Sequence, residues 1–370
     1  MSINLHWFLP TSDDGRGITG SAHPLPGAGG GAAARKPDIE YLVQVAKAAE
    51  LAGFDGVLTP TGVWCEDAWL ICAALTRETR RLRYIVAFRP GFLSPTLAAH
   101  MAGTFQRLSG GRLVLNIVNG GQDEEQRQFG DLLPHDERYA RCAEFLTIVR
   151  GAWSGQPFDF AGDYYRVEGA SVFAPPDPRP DIYFGGSSPA AGEVAAGHAD
   201  VYLTWGEPPS QVAAKIDWIR RLAKERGREL RFGIRLHAIA RDTEQDAWAE
   251  ADRMLAGLDA GEIESTQAAL AASGSTGQRR QRELHAAYRA SGDPRDLEIY
   301  PSLWVGVGLA RGGSGAALVG SHQQVADLIE EYAALGISEF ILSGYPHLEE
   351  AYWFGEGVRP ELKRRGLVRQ

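Results

Sequence analysis

Apolar positions along this chain follow two rhythms. Short runs rich in β-branched and aromatic residues recur: INLHWFL (3–9), FDGVLTP (54–60), LRYIVAF (82–88) and RLVLNIV (112–118), then DIYFGG (181–186), ADVYLTW (199–205), LRFGIRLHAIA (230–240) and EFILSGY (339–345). Most are apolar nearly throughout, as strands buried on both faces should be. Between them lie stretches with helical spacing. IEYLVQVAKAAELAG (39–53) stops at Gly53, and others run from Asp67 to about Arg77, from Pro95 onward, from Glu137 to Trp153, over 209–226 and over 322–335.

Eight strand-like runs in β-α alternation predict a (β/α)8 TIM barrel. A doubly wound open sheet is the competing arrangement, but no GxGxxG follows the first strand. GVGLAR (306–311) breaks that pattern where its third glycine should fall. The whole chain, 1–370, reads as one barrel domain with two interruptions. PLPGAGGGAAARK (24–36) is low-complexity and predicts a flexible loop after strand one. Residues 242–320 form an insertion after strand seven, far longer than an ordinary βα connection. Its first part is charged and helical (243–290), and it ends in GLARGGSGAALVG (308–320). Glycine makes that run a poor helix or strand. Whatever follows a barrel strand lies on the catalytic face, so the run predicts a mobile lid that carries Arg311 over the active face.

Composition narrows the partners. Of 370 residues, 44% are hydrophobic, and the net charge is −9 with no long basic run. Nucleic acid and acidic membranes are therefore not expected partners. Three cysteines, Cys65, Cys72 and Cys142, lack CxxC spacing and leave one unpaired in any disulfide scheme, which suits a reducing compartment. The start, MSINLHWFLP, has no signal-peptide pattern, and no apolar run reaches spanning length. The expected location is cytoplasmic.

The strand ends hold the candidate chemistry. Strand seven carries Arg235 and His237, two apart and so on one face. Inside a barrel they need either a ligand or a paired carboxylate. Strand six ends at Trp205, either a packing residue or a ligand platform. Tyr345 and His347 follow strand eight, and Cys65 follows strand two, where a buried structural cysteine is the preferred reading over a reactive thiol because no cationic neighbour is visible in sequence. Strand five ends in YFGGSS (183–188) before Pro189 opens a helix. Its small residues and hydroxyls suit a phosphate, though a serine N-cap alone would explain one of them. Asn119 closes strand four, and Tyr139 stands in the first turn of the next helix. No HxH, HExxH or GxSxG appears, so neither a metal site nor a nucleophile elbow is expected. A cationic, aromatic mouth suits an anionic substrate and a phosphate-bearing organic cofactor.

FLPT, TGVWCEDAW, HDERYA, YFGGSS, YLTWGEPP, FGIRLH, GLARGGSGAALVG and LSGYPHLEEAY, in this order from about residue 3 to 354, resemble the alkanesulfonate monooxygenases of the bacterial luciferase-like superfamily. The resemblance implies a flavin-dependent enzyme with FMN as FMNH2, a co-substrate supplied by a separate NAD(P)H-dependent FMN reductase. With O2 it would cleave the C–S bond of an organosulfonate to give sulfite and an aldehyde. It also implies a homodimer or homotetramer. Matched by motif, the active-site candidates are Cys65, Trp205, Arg235, His237, Arg311, Tyr345 and His347. The flavin candidates are Asn119, Tyr139, Gly186 and Ser187. Arg235 and Arg311 would clamp the sulfonate, and a lid closed over substrate would keep out the water that diverts O2 to H2O2.

The chain departs from the family pattern at a few positions. Val63 and Trp64 replace the usual Arg-Ser pair, Ser12 stands where histidine is common, and Asn119 where threonine is usual. The 24–36 loop is longer and the tail after 354 shorter. Trp64 and Ser12 are thus the candidate specificity positions, and a tryptophan there could stack on a sugar, so a sulfosugar such as sulfoquinovose competes with a simple alkanesulfonate. A deazaflavin (F420)-dependent hydride-transfer enzyme and a non-catalytic flavin binder are the more distant alternatives.

Overall fold

The computed structural model describes residues 2–18, 35–120 and 123–369. Most of the glycine-rich 24–36 stretch therefore lies outside the described residues. Eight parallel strands close on themselves: β1 (Asn4–Phe8), β2 (Gly56–Thr59), β3 (Arg83–Phe88), β4 (Leu113–Ile117), β5 (Asp181–Gly185), β6 (Val201–Trp205), β7 (Arg231–Arg241) and β8 (Ile337–Ser343). Each pairs with the next, and β8 returns to β1. This is a (β/α)8 barrel, and its strands fall on the eight apolar runs.

The outer helices start where local chemistry caps them. Asp38 and Asp67 accept backbone bonds at the starts of α1 (Ile39–Leu51) and α2 (Ala68–Leu75). Ser94 caps α3 (Pro95–Ser109), and Ser188 caps α5 (Pro189–His198), each with proline in the first turn. α4 (His135–Ala152) and α6 (Pro209–Lys224) follow β4 and β6. A capping box between Ser321 and Gln324 opens α7 (His322–Ala334), and α8 (His347–Trp353) follows β8.

Alternation along the strands sorts the core. Leu5, Trp7, Tyr84, Val86, Leu113, Leu115, Ile182 and Phe184 pack between strands and helices. Phe8, Leu58, Ile85, Val114, Tyr183, Val201, Leu203 and Ile341 fill the barrel itself. Beneath them, near the strand starts, Glu339 accepts from Asn4 Nδ2 (3.0 Å) and Arg231 Nη1 (2.8 Å) and pairs with His6 Nε2 (2.8 Å). The Glu339 carboxylate is thus matched by partners on both neighbouring strands, β1 and β7, so this layer closes the bottom as structure.

The chain corrects two sequence expectations. A hairpin of Phe158–Ala161 with Arg166–Ala170 interrupts the passage from α4 to β5. The 308–320 run is not wholly irregular either: Val307–Ala310 makes a helical turn, and Ala317–Ser321 is a strand parallel to the end of β7. β7 is eleven residues long and runs past its last partners, Arg235 in the β6 ladder and His237 in the β8 ladder, so its end offers an edge from His237 to Arg241. Glycine's weak strand preference is overridden by that template. Four helices, from Glu244–Ala256 to Ala286–Ser291, a 3-10 turn (Pro294–Leu297) and two short antiparallel strands, Glu298–Tyr300 and Leu303–Trp304, the second paired with Ala317–Ser321, make up the rest of the insertion. None of the described helices is long and apolar enough to cross a membrane.

Candidate active site

A cavity of about 280 Å³ opens at the C-terminal ends of the strands. Its floor is barrel core, including Phe8, Leu58, Leu203 and Ile341, and its roof is the insertion, through Ser275, Thr276, Gly277, Arg311, Gly313 and Ser314. The roof is tied down by named bonds. Arg280 donates to both oxygens of buried Glu207 at 2.8 and 2.7 Å, and Lys215 Nζ reaches the same carboxylate at 3.1 Å. Gln281 donates to the Gly206 carbonyl (2.9 Å) and accepts from the Gly315 amide (2.9 Å), while Gln278 accepts from the Gly313 amide (2.9 Å). The Thr276–Glu283 helix thus links the mouth after β6 to the glycine-rich segment.

One wall is cationic. Arg235 is buried, donates to Ser343 Oγ at 2.8 Å and to the Leu236 carbonyl, and lies 4.9 Å over the Phe8 ring. Arg311 is 3% exposed and donates to the Tyr345 hydroxyl. Burial, then the nearby Arg311 guanidinium, push Arg235 down to about 9; Tyr345 works weakly the other way. Among the described residues no carboxylate acts on Arg235, so the paired-charge reading of this arginine fails. A buried cation without a counter-charge is costly, and an anion in the cavity would relieve it.

The opposite wall is small and rich in donors. Gly185, Gly186, Ser187 and Ser188 line the cavity at the N-terminus of α5, with Asn119 and Tyr139 beside them. A Cβ on Gly186 would stand 2.5 Å from Ala191 Cβ, so only glycine lets the loop lie against the helix. Tyr202 donates to the Gly186 carbonyl at 2.6 Å, and Asn119 Nδ2 donates to the Arg138 carbonyl at 3.3 Å. Burial raises the Tyr139 phenol to about 12, which keeps it a hydrogen-bond donor near neutral pH. Amides, hydroxyls and a helix N-terminus around one hollow suit a phosphate group.

The structure brings Arg235, Arg311, Trp205, Asn119, Tyr139, Gly186 and Ser187 onto the cavity. Trp205 is covered by the roof: a Cβ on Gly277 would be 3.0 Å from its ring. Tyr345, His237 and His347 stand behind this layer. Tyr345 stacks on His237 at 5.3 Å and meets His347 edge-on at 5.4 Å. His347 Nδ1 pairs with Asp14 (2.9 Å), which also accepts the His347 amide and the Tyr41 hydroxyl. Cys65 is not on the cavity; its thiol donates to the Gly62 carbonyl at 3.6 Å, and burial raises it to about 12, so it is no thiolate near neutral pH. Trp64 packs against the barrel-interior cluster, while Val63 points outward at 51% exposure. Ser12 is half-buried in the loop after β1.

Several cavity residues were not picked out from sequence. Asn116 was legible, because it breaks the apolar run of β4 on the inward side with Val114. Ser275, Thr276 and Gly277 were not, since nothing local says that their helix folds back over Trp205.

Comparison with known proteins agrees with this architecture. The model of the luciferase-like monooxygenase family matches residues 3–339, so the chain belongs to that family. EDTA monooxygenase from Chelativorans sp. BNC1 superposes with a TM-score of 0.79 at 20% identity, over 100% of this chain and 95% of that one. Long-chain alkane monooxygenase gives 0.77 at 21% identity, over 100% and 93%. Coenzyme F420-dependent tetrahydromethanopterin reductase from Methanopyrus kandleri gives 0.68 at 15% identity, over 98% and 99%. At these identities the likeness is one of fold.

Proposed function

We propose that this enzyme is a two-component flavin-dependent monooxygenase that uses FMNH2 and O2 to release sulfite and an aldehyde from an organosulfonate. The observation that carries the reading is the pair of buried guanidiniums, Arg235 and Arg311, aimed at one cavity with no carboxylate acting on Arg235 among the described residues. A sulfonate is a permanent, trigonal anion whose oxygens match two planar forks. Arg235 is held by the barrel and Arg311 by the roof, so one anion would be gripped by both.

Gly186, Ser187, Asn119 and Tyr139 would hold the flavin, with its phosphate at the start of α5. The flavin, when bound, supplies the reducing electrons and the activation of O2. The protein's part is to orient the anion, to wall the cavity with Trp205, and to exclude water with the roof.

Trp64, the candidate specificity position, packs on the barrel-interior cluster and does not itself line the cavity, so alkanesulfonates and sulfosugars are both candidate substrates. The test is sulfite release across alkanesulfonates and sulfoquinovose, with a generic NAD(P)H-dependent FMN reductase. Sulfite formed in step with FMNH2 consumption is the expected result. Anaerobic titration that shows binding of reduced deazaflavin but not FMNH2 would replace this reading with the hydride-transfer one.

A further inference from the structure

Ser343, the last residue of β8, sits opposite His237 in the β7–β8 ladder and is fully buried. Its hydroxyl oxygen is 2.8 Å from Arg235 Nη2 and 2.8 Å from His237 Nδ1. The other imidazole nitrogen, Nε2, lies 3.0 Å from the carbonyl of Ser314, in the roof. Ser314 Oγ in turn donates to the Arg235 carbonyl at 2.7 Å. These four residues make a closed circuit between barrel and roof.

The chemistry of the groups orients every proton in it. A carbonyl only accepts, so His237 Nε2 carries the hydrogen. Burial first, then the Arg235 and Arg311 charges, hold this imidazole well below its usual range, so it is neutral and Nδ1 is an acceptor. A guanidinium only donates, so Ser343 accepts from Arg235 and spends its one proton on Nδ1. Both imidazole nitrogens are thus committed, and His237 does not line the cavity.

We propose that Ser343 is a positioning residue that couples the aim of Arg235 to closure of the roof, and that His237 relays this coupling rather than exchanging a proton with substrate. With the roof down, the Ser314 carbonyl fixes the His237 tautomer. That tautomer turns the Ser343 proton away from Arg235, and the guanidinium keeps its acceptor. With the roof up, Ser314 leaves and that constraint is lost. Binding an anion at Arg235 and closing the roof therefore favour each other. The ligand in this scheme rests on the anion reading above; the wiring does not.

The test is hydrogen exchange of the 308–316 amides, without ligand and with saturating methanesulfonate, in the wild type, Ser343→Ala, Ser343→Thr and His237→Phe. Without ligand, Ser343→Ala and His237→Phe should each speed exchange in this segment by at least about fivefold while β1 exchanges as before. Methanesulfonate should slow wild-type exchange at least about tenfold and Ser343→Ala by less than about twofold, with Ser343→Thr close to wild type. Ligand-free roof exchange that is the same in wild type, Ser343→Ala and His237→Phe overturns the proposal. So does faster exchange in the roof and β1 alike, or a Thr variant no better than Ala, since both mark a merely structural serine. If Ser343→Ala does not fold, His237→Phe decides by the same two readouts. Methanesulfonate that protects nothing in the wild type refutes the anion reading, and the ligand-free comparison still decides for or against Ser343.

Discussion

Replacing Arg311 with alanine separates the roof's chemical part from its structural one. The side chain is 3% exposed, donates to Tyr345 and faces the cavity beside Arg235. Alanine removes one charge-assisted contact to a bound sulfonate, about 1.5–3 kcal/mol, which is roughly a 10- to 150-fold loss in kcat/KM for sulfite release. The fold should not suffer in proportion. Arg311 lowers Arg235 by repulsion, so its removal relieves a buried cation while costing the Tyr345 bond. The roof also keeps its other ties, through Gln278, Gln281 and Arg280. Tm should therefore change by no more than a few degrees, on the order of 2–4 °C per kcal/mol for larger domains. Arg311→Lys should rescue poorly, because a point charge does not match two sulfonate oxygens. The assay is sulfite formed per FMNH2 consumed, with H2O2 measured alongside. Coupling should fall and H2O2 rise while flavin oxidation continues. A variant with wild-type rate and coupling would show that Arg311 merely fills space in the roof.

Three further outcomes are expected. Gly186→Ala places a Cβ against Ala191, so FMNH2 affinity measured by anaerobic titration should drop at least about tenfold, and unchanged affinity would move the flavin away from α5. Arg280→Ala removes both bonds to Glu207, worth about 1–2 kcal/mol at this partly exposed site, and should speed limited proteolysis within 260–316 by roughly 5- to 30-fold; wild-type cleavage would mean that the roof is held elsewhere. Burial raises Glu339, but its bonds and charges from His6, Arg231 and Asn4 outweigh that and hold its carboxyl at about 2. Because this folded-state value lies below the ordinary 4.5, the stabilisation is complete above about 4.5 and fades as pH falls toward 2. Denaturant titrations in that window should be flatter in Glu339→Gln, and an equal slope would assign acid sensitivity to other carboxylates.

The local rhythm of the sequence determined the scaffold. Apolar runs set the eight barrel strands, because a parallel strand covered on both faces needs little information beyond its own residues. Serine, aspartate and proline placed the helix starts by the same local logic. Period-two alternation placed Arg235 and His237 on one face of β7, as both meet Ser343. Tertiary structure decided what those residues are for. The β7–β8 register sets His237 against Ser343, more than a hundred positions away, and no single strand encodes its register. The overhang of β7 turned Ala317–Ser321 into a strand, and the fold of the insertion laid Gly277 on Trp205 and drew Arg311 toward Arg235. Those contacts join segments distant in sequence, so their energies appear only once the chain has closed.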